Sequence, residues 1–321
     1  MIRTSDLFQL TTDAQFEAAA LDLFRHQAEV CAPYREYIEQ IGLDPKLVTS
    51  LPQIPFLPIL LFKHRTIYCG QTPPEVVFTS SATTGMIPSR HPMQSLQHYE
   101  EVFTRAFEHF YGDPSRWSLY ALLPNYLSRK GSSLVYMADR LIAACGSGGF
   151  YLDEYEQLIA DMATDPKPKI LLGVSYALWE LAERYAPKLH RTIVMETGGM
   201  KGHREELPKE QFHQILCEGF GVEAIHSEYG MAELTSQAYS RGGNRFYCPS
   251  WMRVVTRDVN NPFLIHRKPM RGGLNIIDLA NQTSCAFIQT EDVGRCFEDG
   301  SFEIEGRIDH SEIRGCNLLV Q

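Results

Sequence analysis

From about residue 76 onward, short apolar runs alternate with segments of helical periodicity, and no other feature of the sequence restricts the fold so strongly. Val76-Val77-Phe78 and the stretches 119–123, 170–174, 192–195 and 222–225 read as strands. A segment with Tyr99, Val102, Phe103, Ala106 and Phe110 on one face, and others near 176–185 and 208–218, read as helices. Strand–helix–strand at this spacing predicts right-handed crossovers and a parallel sheet. After residue 270 the rhythm changes. Leu274-Asn275-Ile276-Ile277, Ala286-Phe287-Ile288 and Phe302-Glu303-Ile304 are closely spaced strands with turn residues between them, which predicts an antiparallel meander or small barrel. The opening stretch differs from both: Asp13 is placed to cap a helix carrying Phe16, Ala19, Ala20, Leu23 and Phe24. The prolines of Leu51-Pro52-Gln53-Ile54-Pro55-Phe56-Leu57-Pro58 then predict an extended arm across the body of the protein. The expected organisation is a helical segment over 1–75, a core over 76–306 and a tail over 307–321.

A length of 321 residues is about twice that of an ordinary domain, enough for a catalytic scaffold. With 44% hydrophobic and 21% charged residues, the composition excludes a disordered or collagen-like chain. The formal charge of −9 argues against a nucleic-acid partner held by bulk charge. No run approaches the roughly 18 apolar residues of a membrane span, and the N-terminus has no secretory signature. The eight cysteines are scattered without a CxxC, and Cys248 with His266 is the nearest thing to a metal-ligand set. Free thiols in a reducing cytoplasm are therefore expected.

Four stretches carry chemistry. Thr79-Ser80-Ser81-Ala82-Thr83-Thr84-Gly85 follows a strand, and Arg90 stands beyond it. Backbone amides and hydroxyls in such a loop can converge on phosphate oxygens, with arginine adding a charged fork; the alternative is a solvated Ser/Thr turn. Ser227-Glu228-Tyr229-Gly230-Met231-Ala232-Glu233 follows the strand expected at 222–225. There an aromatic beside glycine can lie against a purine, and the later carboxylate can hold Mg²⁺. Glu291-Asp292-Val293-Gly294 and Gly306-Arg307-Ile308-Asp309 complete the series; each alone is an ordinary turn, and their order along one chain is the specific signal.

These residues resemble the motifs of the adenylate-forming superfamily (acyl-CoA synthetases, luciferases, adenylation domains) and, within it, the LuxE-like acyl-protein synthetases. Ser80, Ser81, Thr83, Thr84 and Gly85 are similar to the T-S-G-T-T-G signature, with Pro88 and Arg90 displaced by a short insertion. Gly198 and Gly199 look like the adenine-flanking loop, and Tyr229-Gly230-Met231-Ala232-Glu233 like Y-G-x-T-E. Asp292 is similar to the ribose-binding aspartate and Arg307 to the hinge-motif arginine. The resemblance implies an α/β fold, the N-terminal core of an adenylate-forming enzyme, with parallel sheets and a small antiparallel barrel-like part. It implies ATP and Mg²⁺, the metal on Glu233, and a carboxylic acid, most simply a fatty acid, activated as acyl-AMP. Ala82 stands in place of a glycine and Ala232 in place of a threonine. The superfamily's mobile lid and its lysine are expected to be absent, because the chain stops soon after the hinge motif.

Pro124, Tyr126, Gly173 and Tyr176 are expected to line the acyl group, since open α/β sheets place ligands at the carboxyl ends of their strands. LuxE-like enzymes carry acyl groups on a cysteine near the C-terminus, and Cys316, beside Gly315 and Arg314, is the cysteine in that position. The resemblance thus implies Cys316 as the acyl acceptor, then a reductase or carrier protein; the rival reading passes the acyl group straight to coenzyme A or a carrier thiol, with Cys316 passive. A non-catalytic nucleotide- or acyl-binding subunit is the alternative from another class.

Overall fold

A computed structural model of the chain describes residues 3–81, 87–124, 131–200 and 207–308. It opens with helices α1 (Thr4–Leu7), α2 (Asp13–Val30) and α3 (Ala32–Gln40). The cap of α2 is Thr12 rather than Asp13: the Thr12 hydroxyl accepts from Gln15 N at 3.2 Å, and Gln15 Oε1 accepts from Thr12 N at 3.1 Å. This reciprocal pair satisfies two helix-end donors. Asp13, now the first helical residue, pairs with Arg253 at 2.6 Å.

The proline-rich arm contains one 3-10 turn, Leu51–Gln53, and then extends as β1 (Leu57–Pro58), followed by the short helix α4 (Leu61–His64). Next come β2 (Val76–Thr79) and β3 (Arg90–Met93), which pair antiparallel as a separate two-stranded sheet. The strand expected at Val76 is thus real but lies outside the parallel sheet. The chain turns straight back through the hydroxyl loop instead of crossing over through a helix.

The main sheet follows. Its parallel half is built from β4 (Ser118–Leu122), β5 (Gly148–Tyr151), β6 (Lys169–Val174), β7 (Thr192–Thr197) and β8 (Ile225–Tyr229). Helices α5 (Leu96–Tyr111), α6 (Ser133–Cys145), α7 (Tyr155–Thr164), α8 (Ser175–Tyr185) and α9 (Lys209–Phe220) precede and connect these strands. The strand order is β5-β4-β6-β7-β8, all neighbours parallel. Every residue of β4 and β6 is buried, as expected of strands in parallel sheets, which are covered on both faces.

From β8 the sheet continues without a break into antiparallel strands. These are β9 (Ala238–Ser240), β10 (Phe246–Tyr247), β11 (Met252–Arg257), β12 (Arg271–Asp278), β13 (Phe287–Cys296) and β14 (Phe302–Arg307), in the order β9-β10-β14-β13-β12-β11. The parallel sheet and antiparallel meander read from the sequence are therefore both present, fused into one sheet. The strand expected at 222–225 begins at Ile225 and runs to Tyr229. Helices α6 and α7 with strand β5, which no sequence pattern singled out, form the far edge.

The arm is stitched to this sheet. Leu57 and Pro58 pair parallel with Ile288 and Gln289 of β13, and Ile59 N donates to Gln289 O at 2.9 Å. Phe24, Tyr34 and Phe56 surround Phe287 of β13 with ring centroids 6.0–6.3 Å away. Gln27, fully buried on α2, donates to Asn281 O at 2.8 Å and accepts from Ala286 N at 2.9 Å. The N-terminal helices are thereby fixed to the β12–β13 connection by polar as well as apolar contacts.

Candidate active site

Thr79 and Ser80, which open the hydroxyl loop, stand at the end of β2 facing the start of β3. Thr79 pairs with Arg90, Ser80 N donates to Ser89 O at 3.1 Å, and Ser89 N donates to Ser80 Oγ at 2.9 Å. Ser81 is exposed, and Thr83, Thr84 and Gly85 lie outside the described residues. Side chains alternate along β3: Ser89 and His91 are buried, whereas Arg90 between them is exposed. Arg90 therefore stands at the hairpin base on the face opposite Ser89, and the structure does not bring it to Glu233.

His91 fixes the hairpin to the loop after β8. Its ring nitrogens lie 2.8 Å from Ala232 O and 3.1 Å from Asn281 Oδ1. Burial lowers its pKa to about 4 against the pull of those two acceptors, so the ring is neutral near pH 7. The loop itself is pinned from β12. Asp278 Oδ2 accepts from Thr235 N at 2.8 Å and Ser236 N at 2.9 Å, and its Oδ1 accepts from Ser236 Oγ at 2.6 Å and Ala280 N at 3.1 Å. Asn281 Nδ2 donates to Glu233 O at 2.9 Å.

Held in this way, the Glu233 side chain is buried, 5% exposed, against Ser89. Burial pushes its carboxyl above the ordinary range, while the Ser89 hydroxyl, its own backbone N–H and the charges of Lys63 and Arg307 pull the other way. Lys63 is a residue the sequence reading missed. It is half-buried on α4, where its neighbour Phe62 meets His91 edge-on at 6.1 Å. It forms no ion pair among the described residues.

Tyr229, Asp292 and Arg307 do come together. Tyr229 OH donates to Asp292 Oδ2 at 2.7 Å, and Arg307 Nε donates to Asp292 Oδ1 at 3.2 Å. The pairing of β13 with β14 sets Asp292 directly across from Arg307. The Tyr229 ring is wedged edge-on between Phe246 and Phe302, with centroids 5.9 and 5.5 Å away. Tyr229 lies at the end of β8 and Asp292 within β13, so the motifs occupy strands where turns were also open readings. Gly198 and Gly199 follow β7 with φ of +79° and +77°, a region costly for other residues. Gly230 lies close to Glu228: a Cβ there would come within 2.4 Å of Glu228 Oε1, so that carboxyl would have to move aside.

Glu228 is a second carboxyl that sequence reasoning quoted without a role. Thr197 Oγ1 donates to it at 2.5 Å, and burial, with the nearby charge of Glu196, raises its pKa to about 7. Glu196, by contrast, accepts from Ser175 Oγ and Ser227 Oγ at 2.8 Å each and contacts His213 and Lys209. Burial works to raise its carboxyl, but those two basic residues outweigh burial and hold it well below the usual range.

The pH consequence of Glu228 has a definite sign. A carboxyl raised from its ordinary 4.5 to about 7 binds its proton more tightly when folded, so its stabilising contribution is present at low pH and lost as the pH rises through about 7. His91 and His226, both lowered to about 4 by burial, act oppositely below about pH 6.5. Glu228→Gln is therefore expected to gain on wild type between about pH 5 and 8 by a few kcal/mol. Urea unfolding curves at several pH values test this; curves that keep a constant separation would contradict it.

Among the expected acyl-lining residues, Tyr176 OH donates to Pro124 O at 3.1 Å. Gly173 lies against Leu178 so closely that a Cβ would come within 2.7 Å of it. Tyr126 and Cys316 lie outside the described residues. The seven described cysteines are free, and among the described residues no group of three His, Cys, Asp or Glu side chains is gathered for a metal. No described helix is long and apolar enough to cross a membrane.

The chain, with its parallel sheet passing into an antiparallel one, has the fold of the adenylate-forming enzymes. Solved relatives bear this out. A 2-hydroxyisobutyryl-CoA ligase in an open conformation with 2-HIB-AMP and CoA matches with a TM-score of 0.70 at 13% identity, over 93% of this chain and 75% of its own. ATP-bound MatB from Rhodopseudomonas palustris matches with a TM-score of 0.54 at 14% identity, over 72% of this chain; the match spans about half of MatB, 47%. In sequence the chain is similar to the long-chain-fatty-acid–luciferin-component ligase of Vibrio harveyi, 24% identical over 89% of this chain and 82% of that protein. The resemblance to the superfamily thus stands on fold, and that to its LuxE-like members on sequence. No family model matches the chain.

Proposed function

We propose that the protein is an acyl-adenylate-forming ligase that activates a long-chain carboxylic acid with ATP and passes the acyl group to a thiol. The observation that carries this reading is the convergence of Tyr229, Asp292 and Glu233, all buried, with the exposed Arg307, from separate parts of the chain. In the first step a substrate carboxylate oxygen attacks the α-phosphorus of ATP. The bond to pyrophosphate breaks and pyrophosphate leaves, giving acyl-AMP. The protein's task is to position the reactants and offset charge. Ser80 and Ser81, with Thr83, Thr84 and Gly85, hold phosphate oxygens. Gly198, Gly199, Tyr229 and Gly230 flank the base.

Asp292 receives the ribose hydroxyls. Arg307 can swing away from it, because the Arg307 side chain is 81% exposed while that of Asp292 is 9% exposed. Arg90, exposed at the base of the hairpin, adds its charge to the phosphate loop, and Lys63 adds a second cation whose charge reaches Glu233. Glu233 fits a magnesium ion: it is a buried hard-oxygen donor with no ion-pair partner among the described residues. The bound metal would neutralise phosphate charge.

In the second step the Cys316 thiolate attacks the acyl carbonyl, and AMP leaves as the thioester forms. A reductase or carrier-protein thiol then takes the acyl group onward; coenzyme A is the competing acceptor. The relatives' named substrates support a carboxylic acid, and the Vibrio harveyi ligase's name supports a long-chain one. Carboxylate-dependent exchange of labelled pyrophosphate into ATP is expected with long-chain acids, and a flat response across fatty and aryl acids would overturn activation. A hydroxylamine-labile acyl label is expected to vanish in Cys316→Ser while exchange survives; a label retained in that variant would move the acceptor elsewhere.

A further inference from the structure

Beyond β11 and β12 the hairpin that joins them projects as a tip over residues 258–264. Its stem is closed by an Arg257–Ile265 bridge, by His266 N donating to Thr256 O at 2.8 Å and by Asp258 N donating to Leu264 O at 2.9 Å. Arg257 anchors the stem from inside, donating to Leu274 O, Asn275 Oδ1 and Thr290 O at 2.7–2.9 Å. Of nine large apolar side chains left exposed among the described residues, four fall between 259 and 270: Val259 at 49%, Phe263 at 56%, Leu264 at 52% and Met270 at 48%. Concentrated exposure of this kind marks an interaction surface.

Two further observations identify the occupant. First, the tip satisfies several of its own backbone donors. Asp258 Oδ1 accepts from Asn260 N and Asn261 N at 2.8 Å each, Asn261 Oδ1 accepts from Phe263 N at 3.2 Å, and Asn261 O accepts from Leu264 N at 3.0 Å. Pro262 has no N–H to satisfy. The apolar side chains can therefore leave water without stranding these donors, which a hydrocarbon boundary demands. Second, in a chain of net charge −9, residues 259–271 contain Arg267, Lys268 and Arg271 and no carboxylate. Arg271 pairs with Glu305, whereas Arg267 and Lys268 are exposed and form no ion pair among the described residues. A projecting apolar tip flanked by free cations complements negatively charged headgroups over a fluid apolar layer.

The geometry points to this hairpin tip as an interfacial anchor that seats the protein on an anionic lipid surface. Arg271, at the foot of this hairpin, pairs with Arg295 of β13, which stands three residues along that strand from Asp292, about 10 Å at strand rise. The hairpin's foot, rather than its tip, is thus the part near the candidate site. The contact itself does not depend on the proposed reaction.

Flotation of the full chain with vesicles tests the anchor. Wild type is expected to float with phosphatidylglycerol–phosphatidylcholine vesicles and about tenfold less with phosphatidylcholine alone. The anionic preference should weaken as salt is added. The double variant Phe263→Ser, Leu264→Ser is expected to lose about tenfold in flotation, and Arg267→Glu, Lys268→Glu to lose the anionic preference. Circular dichroism, melting temperature and pyrophosphate exchange should be unchanged in both. Failure of wild type to float, or flotation indifferent to both variants, would overturn the proposal. So would sedimentation showing that the tip instead joins two copies of the chain. Loss of exchange in wild type with flotation intact would count against the ligase reading alone.

Discussion

Glu233→Gln is expected to lower pyrophosphate exchange by about a hundredfold to a thousandfold while leaving the fold as stable as wild type or slightly more so. The two effects have opposite signs for one physical reason. Burial already disfavours the charged carboxyl, as its raised pKa records, so a neutral amide of the same shape relieves a desolvation penalty. The amide keeps an oxygen for the Ser89 hydroxyl but cannot offer a negative charge to a divalent cation. A merely structural carboxyl would give the reverse pattern, with stability falling and exchange following it. Combining the change with Lys63→Met in a double-mutant cycle adds a check, because residues acting on the same phosphate charge should show non-additive losses. Exchange retained within tenfold in Glu233→Gln would remove this residue from the metal-binding role.

The largest loss of stability is expected at Asp278. It lies at the end of β12, fully buried, and accepts three backbone N–H groups and the Ser236 hydroxyl. That hydroxyl in turn accepts from Trp251 Nε1 at 2.9 Å. Asp278→Ala strands three buried donors at once, at about 1–3 kcal/mol each before relaxation. A total loss of about 4 kcal/mol is expected in urea unfolding. Because the same carboxylate holds the turn after Glu233, residual folded protein should also bind ATP poorly. A loss below about 1 kcal/mol would mean that water replaces the missing acceptor.

Much of the architecture was legible because it rests on local periodicity. The fully buried runs of β4 and β6 and the one-sided helix α5 announce themselves in sequence. The Tyr229–Asp292–Arg307 set could be drawn from motif order because each member belongs to a short pattern of its own. The β2–β3 hairpin was hidden: β2 spans four residues, and β3 contains Pro92 and no alternating polarity. Nothing local shows whether such a chain turns back or crosses over. Which face of β3 Arg90 takes could not be read from the sequence either, since one residue of register decides which face a side chain takes. Lys63 and Glu228 could not be found by pattern at all. Lys63 reaches the site because a distant strand captures the arm, and the Glu228 pKa depends on what surrounds it in three dimensions.

The pairing of Leu57 and Pro58 with β13 also sets an order of assembly. During synthesis the arm leaves the ribosome early, yet its partner strand, including Ile288 and Gln289, is translated near the end. Until then α4 has no edge to follow, and Lys63 cannot be delivered beside Glu233. The candidate site is thus completed only when the arm docks on β13, a contact between segments far apart in sequence.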